Sequence, residues 1–350
     1  MTVRLWQIDS QEPPRPIGSL PMHYGQFSWS PDGRILLAAR NLSGGSKCSV
    51  RAWSMPSAKR LAEFPITAGR YPDNWPAEWV GWSPDSKLVA TGAAKVELWD
   101  PTSGKLLRKI DAQGNGLAWS PDGKTLAAGA DHEVGVYDAE TGKLLKTLSG
   151  CENTILAVAW SPDGKAVAAA GSGATLNITE CVCVWDAESG RLLNNWKEFL
   201  VGYAPVLRWL DDGKTLALAC GGRFAVWDTS SGKRGRRVPT VAFDSSYRDI
   251  SPDGRVVAFQ GLGMIRLESL EDGRAIRTLL PLRDDEYAVL SPDGHVRGSA
   301  RSGKQFVYVV LTDAGEQLTL TPAEFFKKYG WKNDPSKVNL KAEGRRAGSN

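Results

Sequence analysis

Short apolar runs separated by tight-turn sequences recur along the chain, and their spacing predicts a repeat built from β-strands. The tetrapeptide Ser-Pro-Asp-Gly begins at residues 30, 120, 161, 251 and 291, and close variants begin at 83 and 210. Proline presets the first central dihedral of a tight turn, and glycine accepts a positive φ at low cost. Such a turn joins two antiparallel strands, so each copy predicts a hairpin.

The segments around each turn complete a four-stranded unit. An apolar segment ending in tryptophan precedes the turn, as at 117–119, and an Ala- and Gly-rich run follows it, as at 126–129. A third, alternating segment ends in Trp-Asp, as at Val96–Asp100, and a polar turn ending in Gly104 leads into a fourth strand over 105–110. The pattern predicts four antiparallel strands in about 40 residues.

This unit resembles the WD40 repeat, one blade of a β-propeller, and the resemblance extends to about residue 320. The Trp-Asp dipeptide that ends the third strand is the signature of that family. Two features depart from it: the Gly-His dipeptide is absent, and the last two units lack Trp-Asp at 265–268 and 307–310. These departures affect the polar network of some WD40 blades rather than the periodicity of the strands.

The expected fold class is therefore all-β, a seven-bladed β-propeller of four-stranded antiparallel blades over residues 1–320, with a short C-terminal helix. Residues 3–6 and 15–20 read as two additional strands. Propellers close into rings, so we expect residues 1–20 to close the ring against the last blade. An alternative is that this half-blade is the start of a module truncated from a larger signalling protein.

Residues 321–350 predict a separate tail with one short helix. Thr321 is a helix cap, Pro322 suits the first helical position, and Glu324 completes a capping box. We expect the helix to end at Gly330 and the last residues to be disordered. Phe325 and Tyr329 are expected to pack against the last blade or the N-terminal strand, with Lys327 and Lys328 nearer water. The ending resembles that of some bacterial WD40 proteins.

Composition and charge exclude several classes of protein. With 42% hydrophobic residues and 14 tryptophans, the chain has enough apolar surface to fold. The net charge of +4 comes from the tail, where residues 322–350 hold seven basic and three acidic residues, so the body is neutral. A neutral body is a poor phosphate-binding surface, which makes nucleic acid an unexpected partner. We find no apolar stretch long enough to span a membrane and no secretory leader.

Five cysteines, an odd number, indicate reduced thiols in a cytoplasmic protein rather than a disulfide framework. Cys181 and Cys183 share one face of a strand and are expected to be packed as apolar side chains, because the sequence offers no obvious partner for a metal or redox pair. The three histidines are read as solvated. We find no motif for a nucleophile, a phosphate-binding loop or a metal site, and expect no catalytic residue, cofactor or metal.

Two exposed segments are candidates for binding a partner. An insertion at 71–79 carries Tyr71, Trp75 and Trp79, which the repeat does not require, so they either cap a gap between blades or contact a partner. A basic segment carries Lys233, Arg234, Arg236 and Arg237, with no acidic residue from 229 to 243. It is either a solvated strand or an electrostatic contact for an acidic partner.

The function that the sequence favours is a non-catalytic platform for protein–protein interaction. We expect its partners to be one or more proteins and the chain itself to be monomeric. Rigid scaffolds with variable loops suit protein recognition. The alternative from another class is a propeller-fold enzyme, such as a hydrolase or a quinone-dependent dehydrogenase. Such an enzyme would need convergent His, Asp, Glu or metal ligands.

Overall fold

The structure is a computed structural model of the 350-residue chain. It describes residues 2–7, 15–21, 27–41, 47–55, 57, 59–67, 79–92, 94–172, 180–198, 206–210, 212–220, 223–239, 247–251, 255–261, 264–269, 274–282, 287–293, 295–298, 302, 308–311, 317–331 and 333–338. The described residues form two compact units, one made of 1–5 and 17–240 and the other of 6–16 and 241–350. Among the described residues, no helix is long and apolar enough to cross a membrane.

Four-stranded antiparallel sheets follow one another along the chain, as the repeat predicts. Blade 1 contains β3 (Phe27–Trp29), β4 (Ile35–Asn41), β5 (Lys47–Ser54) and β6 (Lys59–Thr67). Blade 2 contains β7 (Trp79–Trp82), β8 (Val89–Gly92), β9 (Val96–Trp99) and β10 (Leu106–Ile110). Blade 3 contains β11 (Leu117–Trp119), β12 (Thr125–Gly129), β13 (Val134–Asp138) and β14 (Leu144–Leu148).

The next blades have the same strand order. Blade 4 contains β15 (Thr154–Trp160), β16 (Ala166–Ser172), β17 (Glu180–Asp186) and β18 (Leu192–Glu198). Blade 5 contains β19 (Val206–Trp209), β20 (Thr215–Cys220), β21 (Arg223–Asp228) and β22 (Arg234–Pro239). Blade 6 contains β23 (Tyr247–Ile250), β24 (Val256–Gly261), β25 (Met264–Ser269) and β26 (Ala275–Pro281). β1 (Thr2–Gln7) and β2 (Arg15–Pro21) pair as a two-stranded sheet.

The expectation of seven blades is wrong for the described chain, which shows six. β27 (Tyr287–Leu290) pairs directly with β26, from Thr278 opposite Leu290 to Pro281 opposite Tyr287, and β28 (Val296–Gly298) follows it. The strands expected to open a seventh blade therefore extend the sheet of blade 6 to six strands. β29 (Tyr308–Leu311) and β30 (Gln317–Leu320) form a separate pair.

A buried serine hydroxyl organises four of the described turns. In the first turn, the Ser30 hydroxyl donates to the Asp32 carboxylate at 2.6 Å and accepts from the Ile35 backbone N–H at 2.9 Å. The same bonds recur from the serines at 83, 120 and 161. Because the hydroxyl and the carboxylate satisfy backbone groups inside the turn, serine and aspartate stabilise it as directly as proline and glycine do.

The fourth position of these turns is left-handed, as predicted. Gly123 and Gly164 have φ of 70° and 72°, while Gly254 lies outside the described residues. Ser86 adopts the same conformation at φ 62° without being glycine. Its hydroxyl accepts a hydrogen bond from the backbone N–H of Asp32 in blade 1, which gives the serine a role that glycine could not fill.

Within the first unit, each blade packs on the one before it. The core between blades 3 and 4, for example, combines side chains from both sheets, including Val136 and Trp185. Tryptophans also bond across the gap: Trp82, Trp119 and Trp209 donate from Nε1 to backbone carbonyls of the preceding blade at 3.4, 3.1 and 3.3 Å. In blades 1 to 5 the fourth strand pairs only with the third strand among the described residues, so it is one edge of its sheet.

The cysteines contradict the expectation that they lack partners. Cys181 and Cys183 are buried on one face of β17, as predicted, but Cys151 reaches them from the segment between β14 and β15. Cys151 and Cys183 form a disulfide, and the Cys181 thiol lies 3.1 Å from the sulfur of Cys151. The sequence pattern did not reveal this cluster, because Cys151 is 30 residues before Cys181 and belongs to the connection between two blades.

The tail helix forms as predicted, but a different segment fixes the tail in the second unit. α1 (Pro322–Tyr329) has the capping box of Thr321 and Glu324, and it ends at Gly330 with φ 64°. Phe325 is half-buried, whereas Tyr329 is exposed and contacts Phe325 rather than a blade. The docking contacts come after the helix, between residues 331–338 and the hairpin of β27 and β28. The last residues, expected to be disordered, lie outside the described part.

Candidate functional site

The aromatic insertion predicted as a binding segment lies largely outside the described residues. Tyr71 and Trp75 belong to the part of the chain that the structure does not describe. Trp79 begins β7, where its backbone pairs with Gly92, but its side chain is not among those described. Their role in capping or binding stays a prediction.

The predicted basic segment lies at the outer edge of blade 5. Lys233 and Arg234 are both exposed where the chain enters β22. Arg236 and Arg237 follow on the same strand, with Arg237 opposite Ala225, and their side chains lie outside the described residues. Arg234, Arg236 and Arg237 therefore lie on one outer strand with Lys233 directly before it, and their role in binding a partner stays a prediction.

At the start of the fourth strand, blades 2, 3 and 4 each carry a pair of leucines that were not among the predicted site residues. Each pair follows the glycine and the basic residue that end the polar turn, and each opens a fourth strand. The leucines are Leu106, Leu107, Leu144, Leu145, Leu192 and Leu193.

A β-bulge recurs at these pairs. In blade 3, Tyr137 pairs with Leu144 and Val136 pairs with Lys146, so Leu145 is an additional residue with none opposite it. The same irregularity adds Leu107 in blade 2 and Leu193 in blade 4. A bulge interrupts the alternation of side chains between the two faces of a strand and re-aims them. Neighbouring leucines can therefore both face away from the core.

Solvent exposure shows this effect. The side chains of Leu107, Leu145 and Leu193 are 47, 55 and 42% exposed, and those of Leu144 and Leu192 are 54 and 38% exposed. We call these five residues the leucine rim. An isolated exposed leucine is ordinary, but five at equivalent positions of three consecutive blades form a repeated apolar feature of the kind found at interaction surfaces.

Positive charge accompanies the leucine rim. Lys105, Lys143 and Arg191 directly precede the three leucine pairs and are exposed, and Lys233 occupies the same position in blade 5. Each follows the aspartate of a Trp-Asp or Tyr-Asp dipeptide by five residues. The outer edge therefore combines apolar side chains on blades 2 to 4 with basic side chains on blades 2 to 5.

The aspartates of these turns serve the turns themselves. Asp100 accepts hydrogen bonds from the backbone N–H and the hydroxyl of Thr102 at 2.8 and 2.6 Å, and Asp138, Asp186 and Asp228 make equivalent bonds. The hydrogen bond from the Thr102 hydroxyl lowers the pKa of Asp100 to about 2. Desolvation acts in the opposite direction, and further hydrogen bonds from the backbone of Thr102 and from Ser103 offset it. These carboxylates are therefore held within their own turns.

The sequence did hold a signal for this surface. A Gly-Lys/Arg-Leu-Leu tetrapeptide occurs at 104–107, 142–145 and 190–193. A strand with one buried and one solvent-facing side should not place leucine at two consecutive positions, because successive side chains face opposite sides. The repetition of that violation was the missed indication of an exposed apolar site.

Comparisons with known proteins agree with the fold. A family model described as eukaryotic translation initiation factor eIF2A matches residues 72–201, a segment that includes the described strands of blades 2 to 4. That match and the blades observed here support a β-propeller of the WD40 type. A search of the curated proteins finds no match.

Among solved structures, 1468 chains match, so the fold alone is too widely used to indicate one activity. One of them is a chain of hydrazine synthase from Kuenenia stuttgartiensis, with 17% sequence identity and a TM-score of 0.59. The alignment covers 78% of this chain and 94% of that chain. At this identity the likeness shows the fold and no more.

Proposed function

We propose that this chain is a non-catalytic platform that binds a partner protein through the leucine rim. The observation that carries the proposal is the exposure of leucines at the bulged start of the fourth strand in three consecutive blades, where a regular strand would alternate them between its faces. A rigid array of sheets holds these side chains at fixed spacing. Binding to such an array requires little ordering of the platform, which favours affinity.

The chemistry of the surface indicates the chemistry of the partner. Apolar side chains contacting the leucines must alternate with acidic side chains that face Lys105, Lys143 and Arg191. A basic continuation on blade 5, at Lys233 and Arg234, extends the same complementarity. The expected partner segment is therefore apolar and acidic, and its association should weaken as salt screens the charges.

Affinity capture with matched variants tests the proposal. The full chain and the triple variant L107S/L145S/L193S are used as baits in the protein's own cells. A second triple variant, L107M/L145M/L193M, keeps the apolar surface and serves as the control. We expect the parent and the methionine variant to retain the same protein and the serine variant to lose it.

Retention of that protein by the serine variant would overturn the proposal. The magnitude can be anticipated, because a fully buried leucine contributes about 1.5–3 kcal/mol. If the interface buries each rim leucine by half, three substitutions cost roughly 3 kcal/mol, or about a 100-fold loss of affinity.

The proposal places the protein as a monomer in a bacterial cytoplasm. Its support is the resemblance of the tail to bacterial WD40 endings. The cysteine count no longer supports it, because the expectation of reduced thiols is contradicted by the disulfide between Cys151 and Cys183. Catalysis is not part of the proposal. In the described residues, one group of three or more His, Cys, Asp and Glu side chains has the geometry to hold a metal, and it is the cysteine cluster inside unit 1.

A further inference from the structure

Three cysteine sulfurs meet in the core between blades 3 and 4. The Sγ atoms of Cys151, Cys181 and Cys183 all lie within 4.8 Å of one another, and all three side chains are buried. Two come from one face of β17, and the third comes from the connection that precedes β15. A disulfide between Cys151 and Cys183 needs only two of them, so the third thiol requires its own explanation.

The backbone is arranged around the sulfur of Cys181. Burial raises the pKa of the Cys181 thiol, and the neighbouring backbone at Asn153, Glu152 and Gly171 acts in the opposite direction with less effect. A Cβ at Gly171 would lie 3.1 Å from the Cys181 sulfur and 3.0 Å from the Thr154 carbonyl oxygen, which is tighter than most Cβ contacts, so glycine lets the backbone approach the sulfur closely.

We propose that the reduced cluster is a binding site for one thiophilic metal cation, Zn²⁺ or Cu⁺. Soft thiolate ligands select these ions. With metal–sulfur bonds of about 2.3 Å, tetrahedral ligands lie about 3.8 Å apart, within the span of this cluster.

Reduction and binding are linked steps. A dithiol reduces the Cys151–Cys183 disulfide by two electrons, yielding two cysteine thiols and the cyclic disulfide of the reductant. The cation then replaces the three thiol protons, which leave to the solvent, and forms three metal–sulfur bonds. Because the disulfide uses two of the three ligands, the oxidised chain cannot hold the ion in this way, and the site is controlled by redox state.

Metal titration of the full chain tests the proposal. The protein is reduced with dithiothreitol, desalted without oxygen, and given Zn²⁺ or Cu⁺ in competition with a chromophoric chelator for each ion. We expect one equivalent retained per chain by the reduced parent and none by the oxidised parent. The ion that survives its competitor identifies the cation.

Variants assign the ligands. Cys181→Ala leaves the disulfide cysteines intact, and we expect it to lose at least 100-fold in affinity. Cys220→Ser, which changes a cysteine outside the cluster, is the matched control and should bind like the parent. Alkylation read by mass spectrometry supplies a second readout on the parent alone, since bound metal should protect Cys151, Cys181 and Cys183 together.

Two results would overturn the site: stoichiometric retention of neither ion by the reduced parent, or equal retention by Cys181→Ala. Near-ultraviolet circular dichroism of the tryptophans checks that the variant is folded. If it is not, the alkylation pattern decides, and unchanged reactivity of the three thiols in the presence of metal would refute the proposal.

Discussion

The indole of Trp331 stacks on the imidazole of His295, with ring centroids 5.0 Å apart and an interplanar angle of 23°. His295 is buried, so the expectation that all three histidines are solvated is wrong for this one. The next residues add to the contact: the Asn333 side chain bonds both the N–H and the carbonyl of Val296, and the Asp334 N–H donates to His295 Nδ1 at 3.0 Å. The segment after the helix is thus the anchor of the tail.

This anchor predicts which tail residue matters for stability. Trp331→Ala removes the stacked ring and its edge contact with Phe325, and we expect a loss of about 1–2 kcal/mol because the tryptophan is half-buried. Phe326 is exposed on helix α1, so Phe326→Ala should stay within about 0.5 kcal/mol of the parent. Urea unfolding measures both. Equal losses would show that the helix, rather than the segment after it, holds the tail.

Acid should weaken the blades through their turn aspartates. Hydrogen bonds from Thr102 to Asp100 and from Ser230 to Asp228, with other donors in the same turns, lower the pKa of both carboxyls to about 2, below the ordinary value of 3.8. A lowered folded pKa adds stability that is present above pH 4 and is lost as the pH falls toward 2. The free energy of unfolding should therefore decrease over that window.

Asp100→Asn isolates this contribution. The amide oxygen still accepts the turn hydrogen bonds but carries no charge, so the variant should be less stable than the parent at pH 6 and should lose less stability between pH 4 and pH 2. Asp111→Asn changes an exposed aspartate that pairs with Lys95 outside these turns, and serves as the control. Parallel pH profiles for the parent and Asp100→Asn would contradict the assignment.

Backbone conformation predicts the cost of changing the turn glycine of blade 4. Gly164 has a φ of 72°, and an added Cβ would meet only the Pro121 ring at 3.8 Å, so the cost arises from the dihedral rather than from crowding. We expect Gly164→Val to lose about 1–3 kcal/mol. Gly164→Asn, which tolerates the left-handed region, should lose less. A melting temperature for the valine variant equal to that of the parent would refute the turn geometry.

The strands and turns were predictable because their signals are local. A proline and a glycine in one tetrapeptide specify the hairpin, and alternation over five residues specifies a strand such as β13. The number of blades could not be predicted from these local signals. It depends on whether Pro281 and Tyr287 pair across a connection. Nothing in the repeat distinguishes a hairpin within one sheet from a connection to the next blade.

The candidate sites also differ in how far local sequence predicts them. The basic segment at 233–237 could be predicted from composition alone, and the structure places it on an outer strand. The leucine rim depended on a bulge, which shifts register without changing residue types. The cysteine cluster depended on contact between Cys151 and a strand 30 residues away. Assigning either feature requires the tertiary structure, because the repeated leucine pairs do not by themselves show which side chains are exposed and the contact of Cys151 is not periodic.

The leucine rim should be dispensable for folding. Its side chains are exposed in the isolated chain, so L107S/L145S/L193S should change the free energy of unfolding by less than about 1.5 kcal/mol in total. Thermal unfolding of the purified variant checks this expectation. A large loss of stability would mean that the leucines pack within the protein and would remove the reason for assigning them to a partner.

Photocrosslinking from the rim tests the proposed function most directly. A benzoylphenylalanine is introduced in place of Leu107, Leu145 or Leu193, one position at a time, and in place of the exposed Phe326 as the control. After irradiation in the protein's own cells, we expect all three rim positions to capture the same protein through one apolar and acidic segment, and position 326 not to capture it. No adduct at the rim, or the same adducts at position 326, would contradict the account.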